Sequence, residues 1–244
     1  MKAVVLCAGK GTRIREVTGS KIPKPMIEID GKPILAQIIE NLSDSGVEEV
    51  LINLHHKGEK IEERFGTSYK GVEISYYWEE ELLGTAGALN QMKDDLNDDF
   101  LVVYGDIISN LNLGSLADFH KSQDSIGTIL VYKGEEDLSK SSIIDIDKEN
   151  KIKRFVEKPG EEFISNFKGD IWTNAGIYCF SPEIIEFIGE GKIDFAYDVF
   201  PSVLESPNSL SAFELPEDAY WKEVGNPERY EQLKKDVDSS KIEW

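Results

Sequence analysis

Two glycines follow a strongly apolar run near the start of the chain, in Leu6-Cys7-Ala8-Gly9-Lys10-Gly11-Thr12-Arg13, and Ile22-Pro23-Lys24-Pro25-Met26 comes shortly after. Glycines in such a place let the backbone turn tightly and aim several N–H groups at a phosphate chain, while Arg13 and Lys24 add fixed positive charge. The pattern is that of an anion cradle. A Walker loop is excluded, because its lysine follows the second glycine and Lys10 precedes Gly11. The dinucleotide fingerprint is excluded as well, since Ile14 stands where its third glycine belongs. A surface turn with incidental cations would suit Gly-x-Gly alone; the added Thr-Arg and Pro-Lys-Pro favour the cradle.

Asp106 follows Tyr104-Gly105 at the end of another apolar run, the place where α/β sheets put ligand-facing side chains. A carboxylate there either binds Mg²⁺, which prefers oxygen ligands, or simply forms a turn, and position alone does not choose. Glu157-Lys158-Pro159 closes a strand-like run and is unremarkable by itself. His55, His56 and His120 have no third ligand at metal spacing and read as loop packing or hydrogen bonding. Tyr76-Tyr77-Trp78 reads as strand core rather than as a stacking platform.

The elements that must position these residues alternate between strand and helix. Lys2 to Cys7 is a buried strand feeding a loop, and Pro33 starts a helix whose Ile34, Leu35, Ile38, Ile39 and Leu42 repeat at helical spacing up to Gly46. Glu49 to Leu54, Val72 to Trp78 and Phe100 to Tyr104 are strands; Gly58 to Phe65 and Thr85 to Leu96 are helices. Such alternation predicts a mostly parallel sheet with helices on both faces. After Asp106 the rhythm changes. Ser125 to Tyr132, Ile143 to Asp147, Lys151 to Glu157 and Ile171 to Phe180 are strands with short connections, which predicts an antiparallel addition. Pro182 to Ile188, Phe195 to Leu204 and Pro227 to Val237 are helices. The fold class expected is therefore α/β, a Rossmann-like three-layer sandwich with a mixed, mostly parallel central sheet. No repeat or linker is visible, so residues 1–244 are expected to form a single domain.

Composition narrows the partners. A formal net charge of -19 argues against nucleic acid or an anionic membrane, which demand clustered Lys and Arg. The densest acidic stretches, Trp78 to Glu81 and Asp94 to Asp99, read as solvated rim. Two cysteines, Cys7 and Cys179, each lie inside an apolar run and read as buried thiols in a reducing compartment. With no leader-like or membrane-spanning run, a cytoplasmic location is expected.

With its cradle, the chain resembles the sugar-phosphate nucleotidyltransferases. Further motifs follow in that family's order: Leu83-Gly84-Thr85-Ala86-Gly87-Ala88, Tyr104-Gly105-Asp106, Phe155-Val156-Glu157-Lys158-Pro159, Asn174-Ala175-Gly176-Ile177-Tyr178, Asp198-Val199-Phe200-Pro201 and Trp221-Lys222-Glu223-Val224-Gly225. The resemblance implies a reaction between a nucleoside triphosphate and a sugar 1-phosphate, yielding a nucleotide sugar and pyrophosphate. It implies Arg13, Lys24 and Asp106 as catalytic residues. Leu6, Ala8, Gly9, Gly11, Thr12, Gly84, Thr85 and Ala86 would bind the nucleotide, although Thr85 also suits a helix cap. Glu157, Lys158, Asn174 and Gly176 would bind the sugar phosphate, and Asp106 with Glu223 would hold Mg²⁺. The sugar-bearing strands would be the antiparallel addition.

Several positions depart from the family. Cys7 stands where Ala is common and Glu16 where Pro is common; Glu223 replaces an Asp and is one methylene longer; Ser141-Ser142 replaces Tyr-Gly before the strand at Ile143. The loop at Gly84 is most similar to that of guanylyltransferases acting on mannose or heptose 1-phosphate, with uridylyl, thymidylyl and cytidylyl relatives as alternatives. A non-catalytic subunit that binds nucleotide sugars is an alternative of another class, opposed by the retention of Arg13, Lys24, Asp106 and Lys158. A glycosyltransferase would carry Asp-x-Asp at the strand end, and Gly105-Asp106-Ile107 does not. The sequence leaves a homodimer open.

Overall fold

In the computed structural model, which describes residues 1–134 and 138–243, the first apolar run forms the strand Lys2–Leu6. Its Ala3, Val4 and Val5 are wholly buried, as expected of a strand covered on both faces. The chain divides into two compact units: Met1–Leu82, Val102–Gly114 and Glu217–Trp244 make the first, and Leu83–Leu101 with Ser115–Pro216 make the second.

In the first unit Lys2–Leu6 pairs in parallel with Glu49–Leu54, Leu6 lying opposite Asn53, and Glu49–Leu54 pairs in parallel with Val72–Trp78. The short strand Ser68–Tyr69 adds an antiparallel edge. On the other side of Lys2–Leu6, the Gly105 N–H that follows the strand Phe100–Tyr104 donates to Leu6 O at 3.0 Å. The sheet is thus mixed and mostly parallel, with flanking helices, the α/β class expected. Helix Ile34–Asp44 buries Ile34, Leu35, Ala36, Ile38, Ile39 and Leu42, the face its spacing predicted. A separate two-stranded antiparallel ribbon joins Ile107–Ser109 to Trp221–Glu223. Helix Pro227–Asp238 follows, its Asn226 side chain accepting from Arg229 N–H at 2.9 Å.

The second unit is built on Trp172–Phe180, antiparallel to both Gly127–Lys133 and Ser142–Ile146, with Ile152–Glu157 antiparallel to the latter. One pair is parallel, Leu210–Glu214 with Gly127–Lys133. Tyr178, Phe180, Phe195 and Phe200 form its aromatic core, with ring centroids 5.2 to 6.2 Å apart. His120 is buried on this unit, hydrogen-bonded to Thr128 Oγ1 at 2.9 Å and Ser181 Oγ at 3.0 Å, and burial lowers its pKa.

Five sequence expectations are corrected. The helix drawn over Thr85 to Leu96 is instead a single turn, Gly84–Gly87, followed by 3₁₀ turns Ala88–Gln91 and Lys93–Asp95. Gly84 holds φ at +81°, and a Cβ there would collide with the Ile193 backbone, so tertiary contact overrides helical propensity. Pro182–Phe187 is likewise 3₁₀, and the helix expected from Phe195 opens with a π-turn, Phe195–Val199, before Phe200–Leu204. Within the acidic stretch read as rim, Glu79 is buried, because it anchors Asn53. Trp78, read as strand core, is 43% exposed at the end of its strand.

Candidate active site

The cradle begins where Lys2–Leu6 ends. Cys7 N–H donates to Asn53 Oδ1 at 2.7 Å, and Asn53 Nδ2 donates to Glu79 Oε1 at 2.7 Å, so a buried polar chain fixes the direction in which the loop leaves the sheet. Neither Asn53 nor Glu79 is singled out by the sequence motifs. Leu6 is half-buried, Ala8 is buried, and Gly9, Thr12 and Arg13 are exposed. Gly11 adopts φ +57°, and its carbonyl accepts from Ile14 N–H at 3.2 Å, closing the loop onto the turn Thr12–Ile14. That conformation explains the second glycine. The Cys7 thiol is pushed well above its ordinary pKa by burial and by the nearby Asp106 carboxylate, so it is no nucleophile.

Lys24 and Asp106, far apart in sequence, form an ion pair, their side chains only 13% and 17% exposed. Gly105 makes this approach possible. A Cβ there would come within 2.7 Å of Leu6 O and 2.8 Å of Cys7 Sγ. Glu223 lies opposite Ile107 on the ribbon and accepts from Arg229, with Arg13 Nη2 3.5 Å from its Oε1. Arg229 escapes sequence reasoning because it joins the site across a helix start. Gly225 lies beneath the Glu223 carboxylate, where a Cβ would collide with Oε1. Its role is space, since its φ is not positive.

The oxygen donors of Asp106 and Glu223 suit a hard divalent cation. Among the described residues no three His, Cys, Asp or Glu side chains cluster as a metal site. A cation here would complete its shell from substrate oxygens and water, which is how Mg²⁺ sits beside phosphates.

In the second unit the Gly84 turn is tied to the π-turn. Ala86 and Gly87 N–H donate to Ile193 O at 2.9 and 3.1 Å; Thr85 N and Oγ1 each lie 3.2 Å from Asp194 Oδ1; Phe195 N–H donates to Thr85 Oγ1 at 2.9 Å. Thr85 does not cap its own turn; Asp194 accepts from Thr85 N–H and Thr85 from Phe195 N–H, so the two turns hold each other and the N–H groups of Thr85, Ala86 and Gly87 are engaged within this contact.

Glu157 ends the strand Ile152–Glu157, and Lys158 follows it. Burial and the neighbouring Asp194 raise the Glu157 pKa, opposed by Lys158. Lys158 takes φ +48° directly before Pro159, a backbone state disfavoured for a branched or long side chain and held here by its N–H donating to Ser141 O at 2.9 Å. Its ammonium lies 3.9 Å from Glu157 Oε1 and 5.7 Å from the Tyr197 ring centroid. Asn174 is held internally: Nδ2 donates to Tyr178 Oη at 2.8 Å and Oδ1 accepts from Gly176 N–H at 2.9 Å. Gly176, at φ +69°, sits in the strand irregularity between Asn174 and Tyr178.

Comparison with known proteins places this arrangement. The model of the nucleotidyl transferase family matches residues 2–240. A Synechocystis UTP–glucose-1-phosphate uridylyltransferase is 34% identical over 99% of this chain and 64% of its own length. The mannose-1-phosphate guanylyltransferase catalytic subunit beta of Drosophila pseudoobscura is 36% identical over 94% of this chain and 60% of its own. The chain thus spans somewhat under two thirds of these relatives. The solved structure of HddC from Yersinia pseudotuberculosis complexed with GMP-PN is 30% identical, with TM-score 0.76, covering 97% of this chain and 99% of that one. A Bacillus anthracis structure at 19% identity shares the fold, with TM-score 0.83 over 96% of this chain and 94% of that one. The chain belongs to the nucleotidyl transferase family, among the sugar-phosphate nucleotidyltransferases that its cradle and ordered motifs resemble.

Proposed function

We propose that this protein transfers a nucleotidyl group from a nucleoside triphosphate to a sugar 1-phosphate, with GTP and mannose or heptose 1-phosphate as its substrates. A sugar-phosphate oxygen attacks the α-phosphorus, the bond from that phosphorus to the bridging oxygen of pyrophosphate breaks, and pyrophosphate leaves. Two anions must meet, so the protein's contribution is alignment and charge neutralisation. Lys24 and Arg13 stabilise the transferring phosphoryl group and the leaving pyrophosphate. Asp106 and Glu223 would hold Mg²⁺, which when bound offsets phosphate charge. Lys158 holds the sugar phosphate and Glu157 the sugar hydroxyls. Residues 1–244 act as one nucleotidyltransferase domain.

The observation that carries this reading is the Lys24–Asp106 pair at the strand end beside the Gly9–Gly11 loop, a cation and a carboxylate brought together from distant segments. The guanine preference is supported by the mannose-1-phosphate guanylyltransferase relatives and by HddC, solved with a guanine nucleotide analogue. A cytoplasmic location is supported by two buried free thiols; no described helix is long and apolar enough to cross a membrane. Pyrophosphate release measured over GTP, UTP, dTTP and CTP against a panel of sugar 1-phosphates tests the proposal. Release with GTP and mannose or heptose 1-phosphate is expected; no release with any pair overturns it.

A further inference from the structure

Large apolar side chains that stay exposed call for a reason, and among the described residues Trp78 and Tyr197 stand out, at 43% and 54% exposure. Trp78 is accounted for by its own surroundings. Its ring covers Gly58, where a Cβ would approach within 2.9 Å, and its Nε1 donates to Glu62 at 3.0 Å. Tyr197 is held differently. It rides on the π-turn Phe195–Val199, whose Phe195 and Val199 are buried together with the following Phe200. Phe195 and Phe200 are fixed in the aromatic core, and Phe195 N–H is tied to Thr85 Oγ1. Burying those three residues turns Tyr197 outward on a rigid base, and single π-turns within helices occur often at functional sites.

The Tyr197 ring meets one residue of the sugar-phosphate set. Lys158 Nζ lies 5.7 Å from its centroid, within cation–π range, and Lys158 itself is held by a strained backbone. An aromatic face beside an ammonium is suited to a ligand that is anionic at one end and apolar across a ring. Sugar rings have such a face, where C–H groups lie together and meet the negative face of an aromatic ring. Tyrosine has few rotatable bonds, so little entropy is lost on covering it.

We propose that Tyr197 is a further residue of the sugar-phosphate subsite, a platform for the C–H face of a pyranose 1-phosphate whose phosphate Lys158 holds. It sets the preference for six-membered sugar rings over smaller ones. This rests on the sugar 1-phosphate reading above.

The test compares wild type, Tyr197→Ala and Tyr197→Phe in pyrophosphate release, using a hexose 1-phosphate and ribose 1-phosphate with the preferred nucleotide saturating. Tyr197→Ala is expected to raise KM for the hexose 1-phosphate about three- to tenfold, to leave the nucleotide KM unchanged and to narrow the hexose-to-ribose ratio. Tyr197→Phe keeps the wild-type ratio. Melting curves confirm that the exposed substitution leaves the fold intact. Active wild type with an unchanged hexose KM in Tyr197→Ala, or with equal losses for both sugar phosphates, overturns this inference alone. Wild type that releases no pyrophosphate with any sugar 1-phosphate overturns both readings.

Discussion

Val224 N–H donates to Asp106 O at 2.8 Å, so the residue after Glu223 is bonded directly to the backbone of the other carboxylate proposed to hold metal. Opposite Glu223 on the ribbon lies Ile107, the residue after Asp106. This pairing brings the backbones of two acidic residues from distant segments to adjoining rungs. Asp106→Asn is expected to lower turnover about 100-fold or more and to raise the Mg²⁺ concentration needed, since metal charge stabilisation amounts to several kcal/mol. Glu223→Gln does the same less severely, and Glu223→Asp retains activity. Initial rates over a Mg²⁺ titration decide it; unaltered rate and Mg²⁺ dependence in Glu223→Gln would leave Glu223 as the anchor of Arg229 only.

Gly225→Ala probes the same carboxylate without touching its charge. The added methyl must displace the Glu223 side chain, which is flexible at its far end, so the stability cost stays within about 1 kcal/mol. Turnover should fall more than melting temperature does. A variant with wild-type kinetics would show that the position of this carboxylate is irrelevant to catalysis.

Lys158→Ala should raise KM for the sugar 1-phosphate about 10- to 100-fold, because a charge-assisted contact contributes about 1.5 to 3 kcal/mol. The nucleotide KM should hold. Collapse of nucleotide binding with intact sugar-phosphate kinetics would reverse the assignment.

Base choice is measurable at the level of kcat/KM. With mannose or heptose 1-phosphate, GTP should exceed UTP, dTTP and CTP. A tenfold preference for another nucleotide, about 1.4 kcal/mol of discrimination, would exclude guanine while sparing the family.

A stability prediction concerns the buried Asp236 of the last helix. Burial alone would raise its pKa, but hydrogen bonds from Lys222, Gln232 and Tyr220 hold it at about 2. Its folded pKa is thus depressed, so its contribution is present above the unfolded value of about 4 and is lost as pH falls through about 2. Asp236→Asn should cost on the order of 2 kcal/mol at neutral pH. The gap in melting temperature between variant and wild type should close between about pH 4 and pH 2; a constant gap would refute the linkage.

What the sequence made legible was whatever is set locally. Ile34 to Leu42 repeat at helical spacing and form the expected buried face; Val72–Trp78 is the strand expected, with both bounds correct. The cradle was legible because glycine is demanded by backbone conformation, as at Gly11. What escaped depends on partners remote in sequence. The Ile193 backbone breaks the helix expected after Thr85, and Asn53 draws Glu79 out of the acidic rim. Arg229 and Tyr197 carry no motif; their relevance arises only once a helix start or a π-turn aims them.

The unit that holds the cradle is stitched from Met1–Leu82, Val102–Gly114 and Glu217–Trp244. The loop that turns at Gly11 is synthesised well before the strand opposite Ile107 and the arginine that grips Glu223. Its folding is therefore of high contact order and cannot finish cotranslationally on the early segment alone. A chain cut before Glu217 would carry the Gly9–Gly11 loop and Asp106 without Glu223 or Arg229 beside them.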